Sequence, residues 1–380
     1  MRLPSLFLIV MALVGALHGY IGIRLLPDLP VSGTWRLAGA GMLTASFLLM
    51  PMSVASRGVR QQPLSDILAW AGSLFMGLFS SLLILTLIRD LVLLGMALSA
   101  SDPAFTRFAV RSAVAVPVLA VLATLIGLIN ARRRAQIKHV EVPIDGLPDA
   151  LHGFVIAQIT DIHVGPTIKR RYLDAIVDAV NGIGADLIAV TGDVVDGNVR
   201  DLAHHTQPLS RLTARHGAFF VTGNHEYYSG APAWTAEMRR LGLIVLVNGH
   251  NVLDHDGALL VIAGVPDYSA HHFDPAERSD PAAAIRGAPE GLPRILLAHQ
   301  PRSAAAAAEA GFHLQLSGHT HGGQFWPWNH FVRLQQPFIG GLDRLGDLWV
   351  YTSRGTGYWG PPKRLGVPSE ITRIRLIPAG

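Results

Sequence analysis

The sequence predicts a chain of two parts: an N-terminal α-helical transmembrane bundle of about four spans, followed by an α/β domain. Three observations carry that prediction. Half of the residues are hydrophobic and mean hydropathy is +0.34, too apolar for a wholly water-exposed chain of 380 residues. Four apolar stretches precede residue 131, each near the roughly 20 residues that cross a bilayer as a helix. From about residue 141 the pattern becomes short β-branched runs alternating with helix-period segments and Gly-rich loops.

The spans fall at 5–23, 38–54, 67–88 and 108–130. Met1-Arg2 gives the first the outline of a signal peptide, but no small-residue cleavage site follows it and three more apolar stretches do, so it is read as a span. The third runs on through Arg89-Asp90 to Leu98. A helix of that length exceeds a bilayer of about 30 Å, so it tilts or emerges, with Arg89 at an interface. A polar path through the Arg89-Asp90 pair is the less favoured reading, because these residues sit at the end of the span rather than its centre, and His18 is treated with the same caution.

Four spans place the N-terminus, the 55–66 loop and everything after 131 on one side. That side carries Arg2, Arg57, Arg60, Arg132, Arg133, Arg134 and Lys138, against Arg24, Arg36, Arg89, Arg107 and Arg111. The block Arg132 to Arg134 abuts a span, which puts the C-terminal domain in the cytoplasm of a multi-pass cell-membrane protein.

The domain limits are 1–131 for the transmembrane region, 132–149 for a basic juxtamembrane linker and 150–380 for the α/β domain. Strands are expected at 154–160, 187–191, 218–222, 243–247, 259–263, 294–298, 313–316, 348–352 and 371–376, and helices at 170–181, 201–214, 232–241 and 302–310. The basic pI of about 9.6 raises nucleic acid as a partner. Residues 1–140 hold 12 Lys and Arg against 4 Asp and Glu, whereas 141–380 hold 19 against 23. The basic excess therefore belongs to the membrane half, and no nucleic-acid partner is expected. Cysteine is absent, so a metal would need N and O ligands.

Such ligands occur in series: Asp161-Ile162-His163, Gly192-Asp193-Val194-Val195-Asp196, Gly223-Asn224-His225-Glu226, His299 and Gly318-His319-Thr320-His321. Asp161, Asp193, Asn224, His299 and His319 each follow an expected strand closely, and α/β sheets gather ligands at the carboxyl ends of strands. The period-2 spacing of Asp161/His163 and of His319/His321 reads as extended backbone sending both side chains to one side. Two adjacent divalent ions need a shared anionic oxygen, for which Asp193 is the natural bridge, plus neutral imidazoles and amides. The mixture suits Mn, Fe, Zn or Co better than an all-oxygen Mg or Ca site.

These motifs, in this order, resemble those of the calcineurin-like metallophosphoesterase superfamily over roughly residues 150–378. Gly318 to Gln324, Ser353-Arg354-Gly355 and Pro368-Ser369-Glu370-Ile371 resemble its membrane-associated bacterial subgroup. The resemblance implies a sandwich of two mixed β-sheets flanked by helices, and two divalent ions that activate a bridging hydroxide. One ion would be held by Asp161, His163, Asp193 and His321, the other by Asp193, Asn224, His299 and His319. His225 would be the catalytic residue beside the leaving group.

Around this set, Asp196 is expected to orient a ligand, and Glu226 to sit at the pocket edge or to support a ligand from behind rather than act as a base. Arg354 and Lys363-Arg364 are candidates for substrate phosphate, and His271-His272 for the pocket border. Tyr227-Tyr228 and Phe325 to Phe331 are expected to pack beneath a loop, the alternative being contact with lipid headgroups.

The predicted function is a membrane-anchored phosphoesterase acting on phosphodiester, pyrophosphate or phosphomonoester bonds, with the bilayer as partner and an amphiphilic, lipid-linked substrate preferred. The alternative is a membrane receptor or regulatory module with a structural or sensing metal site. A transporter ranks last.

Overall fold

The computed structural model describes residues 3–59, 61–99 and 101–379; Met1, Arg2 and Arg60, used above for the signal-peptide and orientation arguments, lie outside them. The chain divides into two compact units, Met1–Ile129 with Gly360–Lys363, and Asn130–Trp359 with Arg364–Gly380.

The first unit is helical: α1 Leu3–Leu25, α2 Gly33–Leu49, a short α3 Met52–Ala55, α4 Leu64–Ala97 and most of α5 Asp102–Arg132. Among the described residues, four helical segments, Phe7–Leu25, Gly33–Ala55, Leu64–Ala97 and Asp102–Arg132, are long and apolar enough to cross a membrane. Ile21 and Leu25 of α1, Phe79 and Leu82 of α4, and Val116 and Ala120 of α5 form its buried cluster.

Arg89 is buried among the helices of this unit. Its guanidinium donates to Asp28, to Ser112 Oγ (3.0 Å) and to the Arg24 carbonyl (2.9 Å). Arg24 Nε and Tyr20 OH both donate to Asp90 at 2.7 Å. An unpaired charge in hydrocarbon is expensive, so this knot gives Arg89 a bracing role between helices.

The second unit is a sandwich of two mixed six-stranded sheets. Its strands are β1 Gln136–Ile144, β2 Val155–Ile159, β3 Leu187–Val190, β4 Ala218–Phe220, β5 Ile244–Val245, β6 Gly249–His255, β7 Ala258–Gly264, β8 Arg294–Leu297, β9 Leu314–Ser317, β10 Gly341–Leu345, β11 Leu348–Thr352 and β12 Glu370–Pro378. One sheet runs β1-β12-β2-β3-β4-β5 and the other β10-β11-β9-β8-β7-β6. In the first, β2 to β5 are parallel and β12 is antiparallel to β2; in the second, β7, β8, β9 and β11 are parallel and β6 and β10 are antiparallel edges.

Period-2 alternation builds the layers. In β3, Leu187 and Ala189 enter the core between the sheets with Leu260, Ile295 and Leu314, while Ile188 and Val190 face the opposite way. There they meet Ile176 and Val177 of α6 Arg170–Asn181 and Trp234 and Met238 of α9 Ala231–Arg240. Between those two helices in sequence come α7 Val199–Thr206 and α8 Asn224–Ser229. Behind the second sheet lie α10 Pro281–Ala284 and α11 Ala304–Glu309, whose Ala304 and Ala307 pack on Leu296 and Val350.

The stretch 132–149, expected as a linker, contains β1, whose residues pair in parallel with β12 from Gln136↔Glu370 to Ile144↔Pro378. The expected helix 201–214 is α7 followed by a 3₁₀ turn, Gln207–Arg211, and the expected strand 243–247 shortens to β5. Pro208 has no N–H to donate, which ends α7 before it.

Candidate metal centre

The first sheet delivers Asp161 and His163 beyond β2, Asp193 and Asp196 beyond β3, and Asn224, His225 and Glu226 at the start of α8 beyond β4. The second delivers His299 beyond β8 and His319 and His321 beyond β9. Gln158 ties the sheets together here, its amide donating to Thr191 Oγ1 (2.8 Å) and to the Ser317 carbonyl (3.0 Å).

The extended-backbone reading of the paired motifs is overturned. Asp161, His163, Asp193, His319 and His321 have φ of 53°, 57°, 50°, 69° and 50°, the left-handed region. Each such residue costs about 1–2 kcal/mol, and residues held this way cluster at functional sites. Hydrogen bonds between loops hold the turns: Asp161 N–H donates to the Gly192 carbonyl (3.0 Å), His163 N–H to Asp193 O (3.1 Å) and Val164 N–H to Val194 O (2.8 Å).

Among the described residues, three groups of donors lie within reach of a common ion: Asp161, His163 and His321; His163, Asp193 and His225; and Asp193, His299 and His319. Asp193 Oδ2 stands 3.1 Å from His299 Nε2 and 3.9 Å from both His163 Nε2 and His225 Nε2. Asp161 Oδ1 stands 3.4 Å from His321 Nε2. The His163 and His321 Nε2 atoms approach to 3.0 Å, and His319 Nδ1 and His299 Nε2 to 3.3 Å.

The groups behind the histidines set their roles. His163 Nδ1 lies 3.1 Å from Asp196 Oδ1, and His299 Nδ1 lies 2.8 Å from the Thr191 carbonyl. Each acceptor draws a proton to Nδ1 and leaves the Nε2 lone pair facing inward, the arrangement of metal-binding imidazoles. Asn224 Oδ1 is buried with no hydrogen-bond partner. A buried, unpartnered amide oxygen on the residue before His225, with clustered imidazoles and carboxylates, is what a divalent cation would complete, so the residues present fit such ions.

Electrostatics agree. Burial opposes charge at Asp193, yet His299 and His225 hold its carboxyl well below the usual range. Burial likewise opposes a proton on His299, but Asp193 keeps its pKa well above the ordinary value. Burial, with the charge of His299, lowers His319 to about 3, and burial, with His163 and Arg364, lowers His321. Two histidines thus stand neutral, ready to ligate, while His299 must release a proton to do so.

His225 Nδ1 contacts Asp196 Oδ1 at 2.5 Å, and its backbone N–H donates to Asp193 Oδ1 at 2.8 Å. Burial disfavours its charged form, but Asp193 and Asp196 raise its pKa to about 9, leaving a protonated imidazole. Asp196 therefore braces both His163 and His225. Tyr228 and Trp359 stand edge-on to the His225 ring, at 5.3 and 5.6 Å between centroids.

Of the two places expected for Glu226, the structure gives the one behind a ligand: it is fully buried rather than at a pocket edge. Its carboxylate accepts from the N–H groups of Gly223 (2.6 Å), Asp193 (2.9 Å), Val194 (2.8 Å) and Val195 (3.3 Å). That clamp joins the Asp193 loop to the start of α8.

The phosphate-binding candidates divide. The Arg364 guanidinium is buried, donating to the carbonyls of His321, Arg354 and Gly357 and contacting His321 Nδ1 at 3.0 Å. Lys363, in the helical unit, donates to Gly77 O (2.9 Å) and Ser81 Oγ of α4. The Arg354 guanidinium makes no hydrogen bond or ion pair among the described residues. The His271 and His272 rings lie tilted against each other, and neither joins any of the three donor groups. Sequence reasoning missed Arg364 behind His321 and the Thr191 carbonyl behind His299; a backbone acceptor leaves no side-chain signal.

The aromatic residues divide. Tyr227 and Phe325 are buried as expected, whereas Tyr228 is 59% exposed and Trp326, Trp328 and Phe331 are exposed.

Residues 154–323 match the family model for calcineurin-like phosphoesterases. An uncharacterized metallophosphoesterase of Campylobacter jejuni is 35% identical over 262 residues, 68% of this chain and 68% of its own length. The chain belongs to the calcineurin-like metallophosphoesterase family. Two further relatives of this metallophosphoesterase are each named "Transmembrane protein with metallophosphoesterase domain". The one from Bos taurus is 38% identical over 71% of this chain and 63% of its own length, and the one from Danio rerio 36% over 70% and 62%. The chain thus spans under two thirds of the length of those two relatives.

Proposed function

We propose that this chain is a membrane-anchored, two-metal phosphoesterase that hydrolyses phosphodiester, pyrophosphate or phosphomonoester bonds. The observation that carries the reading is Asp193, whose carboxylate belongs to two of the three donor groups and can therefore serve two ions. Asp161, His163, Asp193 and His321 would hold one ion, and Asp193, Asn224, His299 and His319 the other, as Mn, Fe, Zn or Co. Bound ions supply Lewis acidity toward phosphoryl oxygens and acidify water.

The chain's own groups do the rest. Asp196 holds the His225 ring through Nδ1. That leaves Nε2 to donate a proton or a hydrogen bond to the departing oxygen. Glu226 fixes the backbone that carries Asp193, and Arg354, with its guanidinium uncommitted, is available to substrate. Tyr228, Phe273 and Trp359, each about half exposed, gather near His225 and favour a substrate with an apolar moiety.

Purified full-length protein supplied with Mn²⁺ should turn over bis(p-nitrophenyl) phosphate and lose that activity to chelator. Metal binding with no cleavage of any model phosphoester under any first-row metal would instead favour a sensing module. The cytoplasmic placement of the catalytic domain rests on the Arg132 to Arg134 block after the last span. A single cysteine replacing exposed Thr213 in this cysteine-free chain should resist an impermeant maleimide in intact cells. Labelling without permeabilisation would reverse the orientation.

A further inference from the structure

Apart from the metal centre, the second unit contains a cleft of about 320 Å³ lined by Asn130, Arg133, Arg134, Gln136, Arg364 and Ser369, with Gly366 to Pro368 completing its wall. Its volume lies at the lower end of pockets that take small ligands. No acidic residue lines it. Arg133 and Arg134 are exposed and make no hydrogen bond or ion pair among the described residues. The third arginine is a wall rather than a donor, since its guanidinium is committed to the carbonyls of His321, Arg354 and Gly357. The Arg364 carbonyl accepts from Asn130 Nδ2 at 3.1 Å, which fixes that wall against the end of α5.

Chain continuity sets the depth of this cleft. Asn130 lies in the last turn of α5, a helix long and apolar enough to cross a membrane, and directly follows the apolar run that ends at Ile129. Arg133 and Arg134 come next, where a spanning helix leaves hydrocarbon for the headgroup layer. Two uncommitted guanidinium groups, amide and hydroxyl neighbours and no carboxylate form a receptor for a phosphate oxyanion. At that depth the abundant phosphate is a lipid's.

We propose that this cleft binds the headgroup phosphate of an anionic phospholipid, with Arg133 and Arg134 as its donors. The site is separate from hydrolysis, so its test does not depend on turnover. Full-length protein in neutral detergent is titrated with short-chain phosphatidylglycerol, phosphatidylcholine or inorganic phosphate, and the thermal midpoint is followed. Phosphatidylglycerol should raise the midpoint saturably, by several degrees, while the other two leave it nearly unchanged. In R133Q/R134Q the apparent affinity should fall roughly 30-fold, from about 1 kcal/mol per basic residue near the surface; R134Q alone should lose about five-fold and serves if the double variant does not fold. An equal shift with phosphatidylcholine, an equal shift with inorganic phosphate, or a phosphatidylglycerol shift that survives the substitutions overturns the proposal.

Discussion

Asp193→Asn should lower kcat/KM on any cleavable phosphoester by at least about 10³-fold, a loss of roughly 4 kcal/mol of transition-state stabilisation. The substitution keeps the shape of the side chain and changes its charge. Its amide oxygen can still accept the His225 N–H that Asp193 Oδ1 takes at 2.8 Å. The amide NH₂ then occupies the place of Oδ2, 3.1 Å from His299 Nε2 and 3.9 Å from His163 and His225 Nε2. A donor now faces the space where two cations would share an anion, so metal content should fall together with activity. Stability of the metal-free protein should fall by a few kcal/mol at most, because no cavity opens but the buried partner that keeps His299 and His225 protonated is lost. Metal analysis and thermal melting on one preparation separate loss of site from loss of fold. Retention of activity within ten-fold and of full metal content would defeat the two-ion reading.

The legibility of this molecule follows from which physical signals are local. β3 and β8 are continuous apolar runs between two layers, so Leu187–Val190 and Arg294–Leu297 could be read from composition. β1, β6 and β10 could not, being outer or edge strands whose exposed positions carry Glu141, Asp254 and Arg344. β1 was disguised further by its partner β12, some 230 residues away, since no local pattern announces a pairing of that range. Within the site, the identities of the donors were legible because their chemistry is particular. The left-handed backbone that aims Asp161, His163, Asp193, His319 and His321 was not, because even Asp and His, which enter that region more often than most residues, do so uncommonly. Its combined cost, on the order of 5–10 kcal/mol, rivals the net stability of a domain. Only interlocking loops such as those joined by Glu226 can hold it, and these exist only once both sheets are assembled.

Gly318→Ala should remove metal binding and lower stability by about 3 kcal/mol or more, although a methyl group is the smallest side chain that can be added. The reason is a close approach: a Cβ at Gly318 would land on Asp161 Oδ2 and Thr160 Oγ1. Those atoms cannot withdraw. Asp161 Oδ2 accepts from Thr160 Oγ1 at 2.8 Å, and both Asp161 oxygens accept the His319 N–H at 3.0 Å. Thr160 Oγ1 is also tied to the Thr191 carbonyl at 3.0 Å. Overpacking of a tight interior typically costs about 1–3 kcal/mol. Here the intruding methyl also breaks hydrogen bonds to a buried carboxylate, each worth about 1.5–3 kcal/mol. Gly146→Ala is the control, because Gly146 has φ of 64° with nothing within 4 Å of an added Cβ. It pays only the backbone cost, about 1 kcal/mol, and should keep full metal content and activity. If the two variants melt alike and both bind metal, the packing of β9 against the Asp161 turn is looser than these distances require, and the rigidity assigned to the centre fails with it.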